Sequence, residues 1–306
     1  MHFFSVRLFV IAIFICSVIF HNAKAEYVPP YCEILIEAAS GKILYAYNSH
    51  EKTQPASLTK MMTLYVVFRE IEKNHLKLTD RVPFSAKAVQ QKPSRLGVDQ
   101  GASISVREAI IALVVKSAND VAVALAERVG GSTEAFVELM NCYAKMLGMH
   151  NTNFCNPSGW KCKTQYTTAV DMAKLARALL INLKGFYSVF STKNVKYCGS
   201  VLKNHNNILG ELSDGIIVDG IKTGYVAASG YNLVASAKKY DKRLIAVVLG
   251  GQSARCRDNR IKYLFLCGFK GKTPTVPCLA STKTVKSSLV KRKVKKNGKN
   301  KTIKNR

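Results

Sequence analysis

No acidic residue follows Asp258 and no aromatic residue follows Phe269 in this 306-residue sequence. Fifteen basic side chains lie between Asn259 and Arg306, but without interleaved aromatics that stretch lacks the stacking groups of a nucleic-acid-binding surface. Metal-ligand spacings are missing too. Nine cysteines and six histidines include no Cys-x-x-Cys pair and no His-Glu-x-x-His, so neither a zinc site nor another metal or cofactor is expected. The N-terminal low-polarity run, Leu8 to Phe20, has thirteen residues, short of the ~20 that cross a bilayer. No internal repeat is visible. What is present points to a folded body: 48% of the residues are hydrophobic, which rules out disorder along the full length. The length allows one large domain or two modest ones. A net charge of +27 suggests a polyanion binder, yet more than half of it sits in the last segment.

The first 25 residues read as an export signal. Arg7 precedes the apolar run, and Ala23-Lys24-Ala25 supplies the small-x-small pattern of a cleavage site. An uncleaved anchor is the alternative. Cys16 follows Phe14-Ile15, not the small residues of a lipidation site. A mature chain from Glu26 would work outside the cytoplasm and keep eight cysteines, an even number that permits disulfides. Cys155 and Cys162 flank the turn-rich Asn156-Pro157-Ser158-Gly159, so they either pair or remain free thiols.

Residues 33–47 predict a hairpin, Ser57 to Lys73 a buried helix, Arg107–Val129 and Thr133–Leu147 two helices, and Thr168–Leu183 another. Asn232–Lys238 and Arg243–Leu249 predict a second hairpin, and Asp258–Phe269 a closing helix. Strands at both ends with helices between them predict an α+β fold: one antiparallel sheet carrying a packed helical cluster. Beyond Gly271 the composition turns to Thr, Pro, Ser and Lys, expected as a disordered basic tail over 271–306.

Three short motifs carry candidate chemistry. Ser57-Leu58-Thr59-Lys60 has the Ser-x-x-Lys spacing, which on a helix brings an amine within reach of a hydroxyl. Five other Ser-x-x-Lys copies occur, but this one follows Pro55-Ala56 and enters the apolar stretch Leu58–Val67. A helix start offers free N–H groups to an oxyanion, and burial favours the neutral amine that a base requires. The plain alternative is a capping serine beside a lysine reaching for solvent. Ser117-Ala118-Asn119 interrupts an apolar run, either serving a cleft or looping between helices with Ser117 or Asn119 as a cap. Lys222-Thr223-Gly224 precedes the second hairpin. It suits a carboxylate and a close backbone approach, or else forms a basic strand edge.

Taken together, the three motifs resemble the signature set of penicillin-binding proteins and serine β-lactamases. The blocks Pro55–Thr63, Lys116–Asp120, Asn156–Gly159, Tyr166–Met172, Val218–Gly224 and Ser229–Leu233 are similar to those of D-alanyl-D-alanine carboxypeptidases of peptidase family S11. That resemblance spans about residues 30–270 and implies a penicillin-binding protein/serine β-lactamase-like fold, with a single catalytic domain over 26–270. It implies Ser57 as nucleophile, Lys60 as its base and Ser117 as proton relay, with no cofactor. Asn119, Lys222, Thr223 and Gly224 would bind substrate, and the N–H groups of Ser57 and Tyr225 would form the oxyanion hole. Arg257, with Arg255 as competitor, would meet the substrate carboxylate. Tyr225 stands where relatives often have histidine, and its ring is expected to narrow the cleft.

The substrate implied is the peptidoglycan stem pentapeptide, cleaved in peptidoglycan synthesis and remodelling, with β-lactams as covalent inhibitors. The place implied is the periplasm, with the basic tail either drawn to anionic membrane or wall polymers or simply solvated. Only about 36 residues follow Lys270, too few for the second β-rich domain expected of many members. The rival readings are a DD-endopeptidase, a β-lactamase and a cell-wall-binding protein without chemistry. No Glu-x-x-Leu-Asn motif of class A β-lactamases occurs.

Overall fold

The computed structural model describes residues 29–277, and residues through Pro274 belong to one compact unit. The signal segment Met1–Ala25, Cys278 and the tail from residue 278 onward lie outside the described residues. The strands are β1 (Cys32–Glu37), β2 (Ile43–Tyr47), β3 (Arg81–Pro83), β4 (Ser103–Ser105), β5 (Asn194–Tyr197), β6 (Ser200–Lys203), β7 (Gly210–Glu211), β8 (Ile217–Val226), β9 (Gly230–Lys239) and β10 (Lys242–Gly251). The helices are α1 (Thr59–Glu72), α2 (Ala86–Val89), α3 (Val106–Val115), α4 (Asn119–Gly130), α5 (Thr133–Met146), α6 (Ala169–Ile181) and α7 (Ala254–Phe269).

A six-stranded antiparallel sheet, in the order β2-β1-β10-β9-β8-β7, joins segments from both ends of the chain. Period-2 alternation assigns each side chain to a face. Leu244, Ala246 and Val248 of β10 pack with Leu35 against Ile261, Leu264 and Phe265 of α7. Ile245, Val247 and Leu249 face the other way, into a large core with α1, α3, α4 and α6. With both faces covered, these strands read as near-continuous apolar runs. A buried ion pair ties α7 to β1: the Arg260 guanidinium donates to both carboxylate oxygens of Glu33, which also accepts from Tyr31 at 2.9 Å.

Both predicted hairpins, α1, α5 and α6 are present within a few residues of their expected ends. One expected helix is corrected: Arg107–Val129 is two helices, not one. Ser117 takes φ +58°, the left-handed region, so the chain cannot continue α3 and restarts at Asn119. The closing helix starts at Ala254, earlier than its apolar pattern implied, because Ser253 accepts from the Cys256 N–H as an N-cap. Strand β8 was not expected as such, nor were the short pairs β3–β4 and β5–β6. No helix among the described residues is long and apolar enough to cross a membrane.

Candidate active site

Pro55 opens a short 3-10 turn, Ala56–Leu58, that hands the chain to α1. Ser57 sits in that turn ahead of the α-helix proper, and Leu58 occupies the N-cap without a side-chain bond, so Ser57 does not cap α1. One helical step on, Lys60 projects inward and is 0% exposed, so it does not reach for solvent. Its Nζ lies 3.2 Å from Ser57 Oγ, 2.6 Å from Asn119 Oδ1 and 2.6 Å from the Ser158 carbonyl oxygen. Burial, and after it the charge on Lys222, push the Lys60 amine well below the ordinary lysine range, against the opposing pull of Asp120.

A neutral amine has two N–H donors and one lone pair. The Ser158 oxygen only accepts. Asn119 is oriented by its own amide, whose Nδ2 donates to the Lys92 and Pro93 carbonyls at 2.8 and 3.2 Å, leaving Oδ1 to face Lys60. Both amine hydrogens are therefore taken by acceptors. With the amine neutral and both hydrogens so engaged, its lone pair is left to accept from the Ser57 hydroxyl across the third contact, 3.2 Å long. This is the arrangement of a base about to receive a proton.

The second motif lies opposite. The left-handed turn at Ser117 ends α3 and sets Asn119 at the start of α4. Neither Ser117 nor Asn119 caps α4, whose N-cap is Ala118. The Ser117 hydroxyl is buried and makes no hydrogen bond to any described residue. Asp120, 1% exposed, accepts from the backbone N–H groups of Leu96, Gly97 and Val121 at 2.9–3.0 Å and so anchors the loop bearing Pro93 and Ser94. Asp120→Ala would strand those amides. A loss of about 3 kcal/mol is expected in urea unfolding, with an unchanged denaturant slope.

The third motif comes from the sheet. Lys222-Thr223-Gly224 lies on β8, where the short β7 reaches only Ile217 and Val218 and leaves this stretch an open edge. Lys222 is 2% exposed and donates to the Thr223 carbonyl at 2.9 Å, which is not how a solubilising surface lysine behaves. Burial, and then Arg257, lower its amine to about 7. A Cβ on Gly224 would come within 3.1–3.2 Å of Pro55 O, Ser57 N and Leu58 N, so glycine lets β8 lie directly against the turn bearing Ser57. Arg257, on the first turn of α7, is buried, donates to Asp258 at 2.7 and 2.9 Å and lines the same cleft, whereas Arg255 is exposed.

These elements enclose a cleft of about 280 Å³ lined by Ser57, Ser117, Asn119, Thr223, Gly224, Tyr225 and Arg257. Lys60 and Lys222 lie buried beneath it. Tyr225, 54% exposed, sets its ring 4.4 Å from that of Tyr231 at a 38° tilt and forms part of the rim. All the motif residues named from sequence thus converge. Sequence reasoning gave no role to the Ser158 carbonyl, Asp120, Trp160 or His205. The Ser158 position was foreshadowed by Asn156-Pro157, since Asn156 Oδ1 accepts from the Ser158 and Gly159 N–H groups in an Asx turn. His205 lines the cleft and is lowered to about 4 by burial and then by Lys222, Lys116, Lys60 and Arg257, and no pattern in the sequence marked it. Cys155 and Cys162 are joined as a disulfide. Among the described residues, no group of three or more His, Cys, Asp or Glu gathers as a metal site.

An antiparallel sheet, a helical cluster and a Ser–Lys pair at their junction are the architecture of the penicillin-binding protein/serine β-lactamase-like fold. The D-alanyl-D-alanine carboxypeptidase family model, peptidase S11, matches residues 22–253, and the chain belongs to this family. D-alanyl-D-alanine carboxypeptidase DacC of Escherichia coli (strain K12) is 41% identical over 243 residues, covering 78% of this chain and 60% of that protein. The chain spans about two thirds or less of the curated relatives DacC and DacD of the same organism. Among solved structures, penicillin-binding protein 6B of Escherichia coli is 35% identical with a TM-score of 0.74, covering 80% of this chain and 78% of that one. Penicillin-binding protein D2 of Listeria monocytogenes, in a cefotaxime-bound form, is 29% identical with a TM-score of 0.70, covering 78% and 96%.

Proposed function

We propose that the protein is a serine-type D-alanyl-D-alanine carboxypeptidase that removes the terminal D-alanine from peptidoglycan stem pentapeptides. The observation that carries this reading is the fully buried Lys60 amine, within hydrogen-bond distance of Ser57 Oγ, Asn119 Oδ1 and the Ser158 carbonyl oxygen at once. Lys60 takes the Ser57 proton as Oγ attacks the carbonyl between the two D-alanines. The N–H groups of Ser57 and Tyr225 receive the oxyanion, a device worth ~3 kcal/mol per donor. Ser117, helped by Lys222, relays that proton from Lys60 to the departing amine, which leaves Lys60 neutral again. Thr223 and Arg257 hold the terminal carboxylate, and Asn119 adds a contact to the peptide. Water then hydrolyses the ester. A β-lactam entering the same cleft acylates Ser57 and leaves slowly.

The test is D-alanine release from a peptide ending in D-Ala-D-Ala, together with mass spectrometry of the penicillin-treated protein. A penicillin adduct on the peptide containing Ser57 is expected. No released D-alanine, or an adduct elsewhere, would remove the assignment.

The pH dependence follows from the two lysines. Lys60 must be neutral, so kcat/KM rises as pH climbs through its lowered pKa. Lys222 supports the Ser117 relay through its positive charge, so kcat/KM falls as pH passes about 7 and that charge is lost. Lys222→Arg, which stays charged, is expected to lose the alkaline limb and keep the acid one. An alkaline limb that survives in that variant belongs to another group.

The same proposal makes the protein an exported, periplasmic enzyme with a catalytic domain over 26–270 and a cationic tail drawn to anionic membrane or wall polymers. Each basic residue near such a surface adds up to ~1 kcal/mol. Binding of the full chain to anionic vesicles at low salt, lost on truncation at Gly271, is expected. Equal partitioning of both forms would refute the role given to the tail.

A further inference from the structure

The Cys155–Cys162 disulfide closes the loop that touches the catalytic turn at three points. The Ser158 carbonyl accepts from Lys60 at 2.6 Å, the Pro157 carbonyl accepts from Thr63 Oγ1 at 2.7 Å, and Gly159 packs on the Ala56 carbonyl. The outgoing limb is well held. Asn141 exchanges two bonds with the backbone of Phe154 at 2.8 Å, and Asn156 fixes the turn from within. The returning limb is more exposed at Lys161, Lys163 and Thr164, and its ties to the outgoing limb are single hydrogen bonds: Asn156 Nδ2 donates to the Trp160 carbonyl at 2.7 Å, Asn153 Nδ2 to the Thr164 carbonyl at 2.9 Å, and the Cys155 N–H reaches Gln165 only at 3.5 Å. The bridge is the covalent tie between the two limbs, inside the Asn153–Tyr166 rung that closes the loop further out. Trp160, between the Ser158 carbonyl and the bridge, lines the catalytic cleft.

We propose that the Cys155–Cys162 disulfide is a positioning clamp for the base: by holding this loop it keeps the Ser158 carbonyl on one Lys60 N–H, and so keeps the amine's lone pair on Ser57. Without the clamp the carbonyl drifts, the amine gains a free hydrogen, and its lone pair is no longer aimed. This inference rests on the proposed role of Lys60. Cys155 and Cys162 are positioning residues and touch no substrate.

Trp160 is the only tryptophan in the chain, so its emission and anisotropy report on this loop alone. The experiment compares the full-length oxidised protein with the same protein after phosphine reduction and with the Cys155→Ser, Cys162→Ser double variant. Three quantities are read: Trp160 fluorescence, the rate of Ser57 acylation by fluorescent penicillin, and its pH profile. Loss of the clamp is expected to lower Trp160 anisotropy and slow acylation by about 10- to 100-fold, the scale of a misplacement near 1 Å. The acid limb of the profile is expected to shift, because the protonation of Lys60 changes with its acceptors; a merely stabilising bridge would leave that limb in place. Asn156→Ala, which loosens the same turn with the bridge intact, is expected to move the limb in the same direction. Free thiols at 155 and 162 in the purified protein, an unchanged Trp160 signal, or an unchanged rate and pH profile would each overturn the clamp. If the oxidised protein is not acylated at all, the proposed function fails, and the clamp is then decided by the Trp160 signal alone.

Discussion

A Lys60→Met protein should fold and yet acylate with penicillin about 10³-fold more slowly, or worse, than the parent. The loss is large because, among the described residues, no other base is hydrogen-bonded to Ser57 Oγ. Lys222 donates to the Thr223 carbonyl of its own strand, and the Ser117 hydroxyl makes no hydrogen bond to any described residue. The fold should survive because methionine is an unbranched chain that fills the same space and removes the cost of burying an amine. Against that gain, Asn119 Oδ1 and the Ser158 carbonyl each lose a donor, at about 1–3 kcal/mol apiece. Thermal unfolding should therefore stay cooperative and shift by no more than several degrees. Lys60→Arg separates charge from basicity. Its guanidinium stays protonated and has no lone pair to offer, so an electrostatic role would survive this change and a general-base role would not. Near-normal acylation in either variant would remove Lys60 as the base.

The parts of this protein that were legible in its sequence are those where local pattern and tertiary burial agree. The β9–β10 hairpin is one: Leu244 to Leu249 is apolar throughout because both faces of the sheet are covered, and a strand-period reading and a buried-run reading give the same answer. The break between α3 and α4 was only half legible: Ser117-Ala118-Asn119 visibly interrupts the apolar run, but the pattern also fits one helix across Arg107–Val129. Ala109–Val115 and Val121–Ala126 are both apolar, and a single left-handed residue, Ser117, divides them. Strand β8 was obscured for the opposite reason. Asp219, Lys222 and Thr223 look like surface residues, yet Lys222 and Thr223 are buried for the cleft's sake. Functional sites are where local rules and the global fold part company.

The same division runs through the site. Ser57 and Lys60 stood out from five other Ser-x-x-Lys copies only through context, the preceding proline and the apolar helix that follows. Arg257 and Arg255 could not be separated on spacing. Burial on the inner side of α7 separates them. The Ser158 carbonyl is a backbone group, and no side-chain motif encodes which atom a backbone oxygen will face. It became visible only once Lys60 had a position.

Among the described glycines, Gly159→Ala should be the most damaging alanine substitution. Gly159 has φ +79°, where an alanine costs about 1–2 kcal/mol on backbone grounds alone. A Cβ there would fall 1.8 Å from the Ala56 carbonyl oxygen and 2.5 Å from its carbon, and both are backbone atoms that no rotamer change can move aside. Either the 156–160 loop or the 3-10 turn bearing Ser57 has to shift. If the loop moves, Lys60 loses its Ser158 acceptor; if the turn moves, Ser57 leaves the amine. Both routes end in the same defect. A stability loss on the order of 3 kcal/mol or more is expected, with acylation slowed at least ~100-fold. Gly101→Ala is the matched control. Its φ is +82°, but no atom lies within 4 Å of the added methyl, so it should lose only about 1 kcal/mol and acylate at the parent rate. If the two variants behave alike, backbone conformation alone sets the effect, and the close packing of the 156–160 loop on the nucleophile turn has no catalytic consequence.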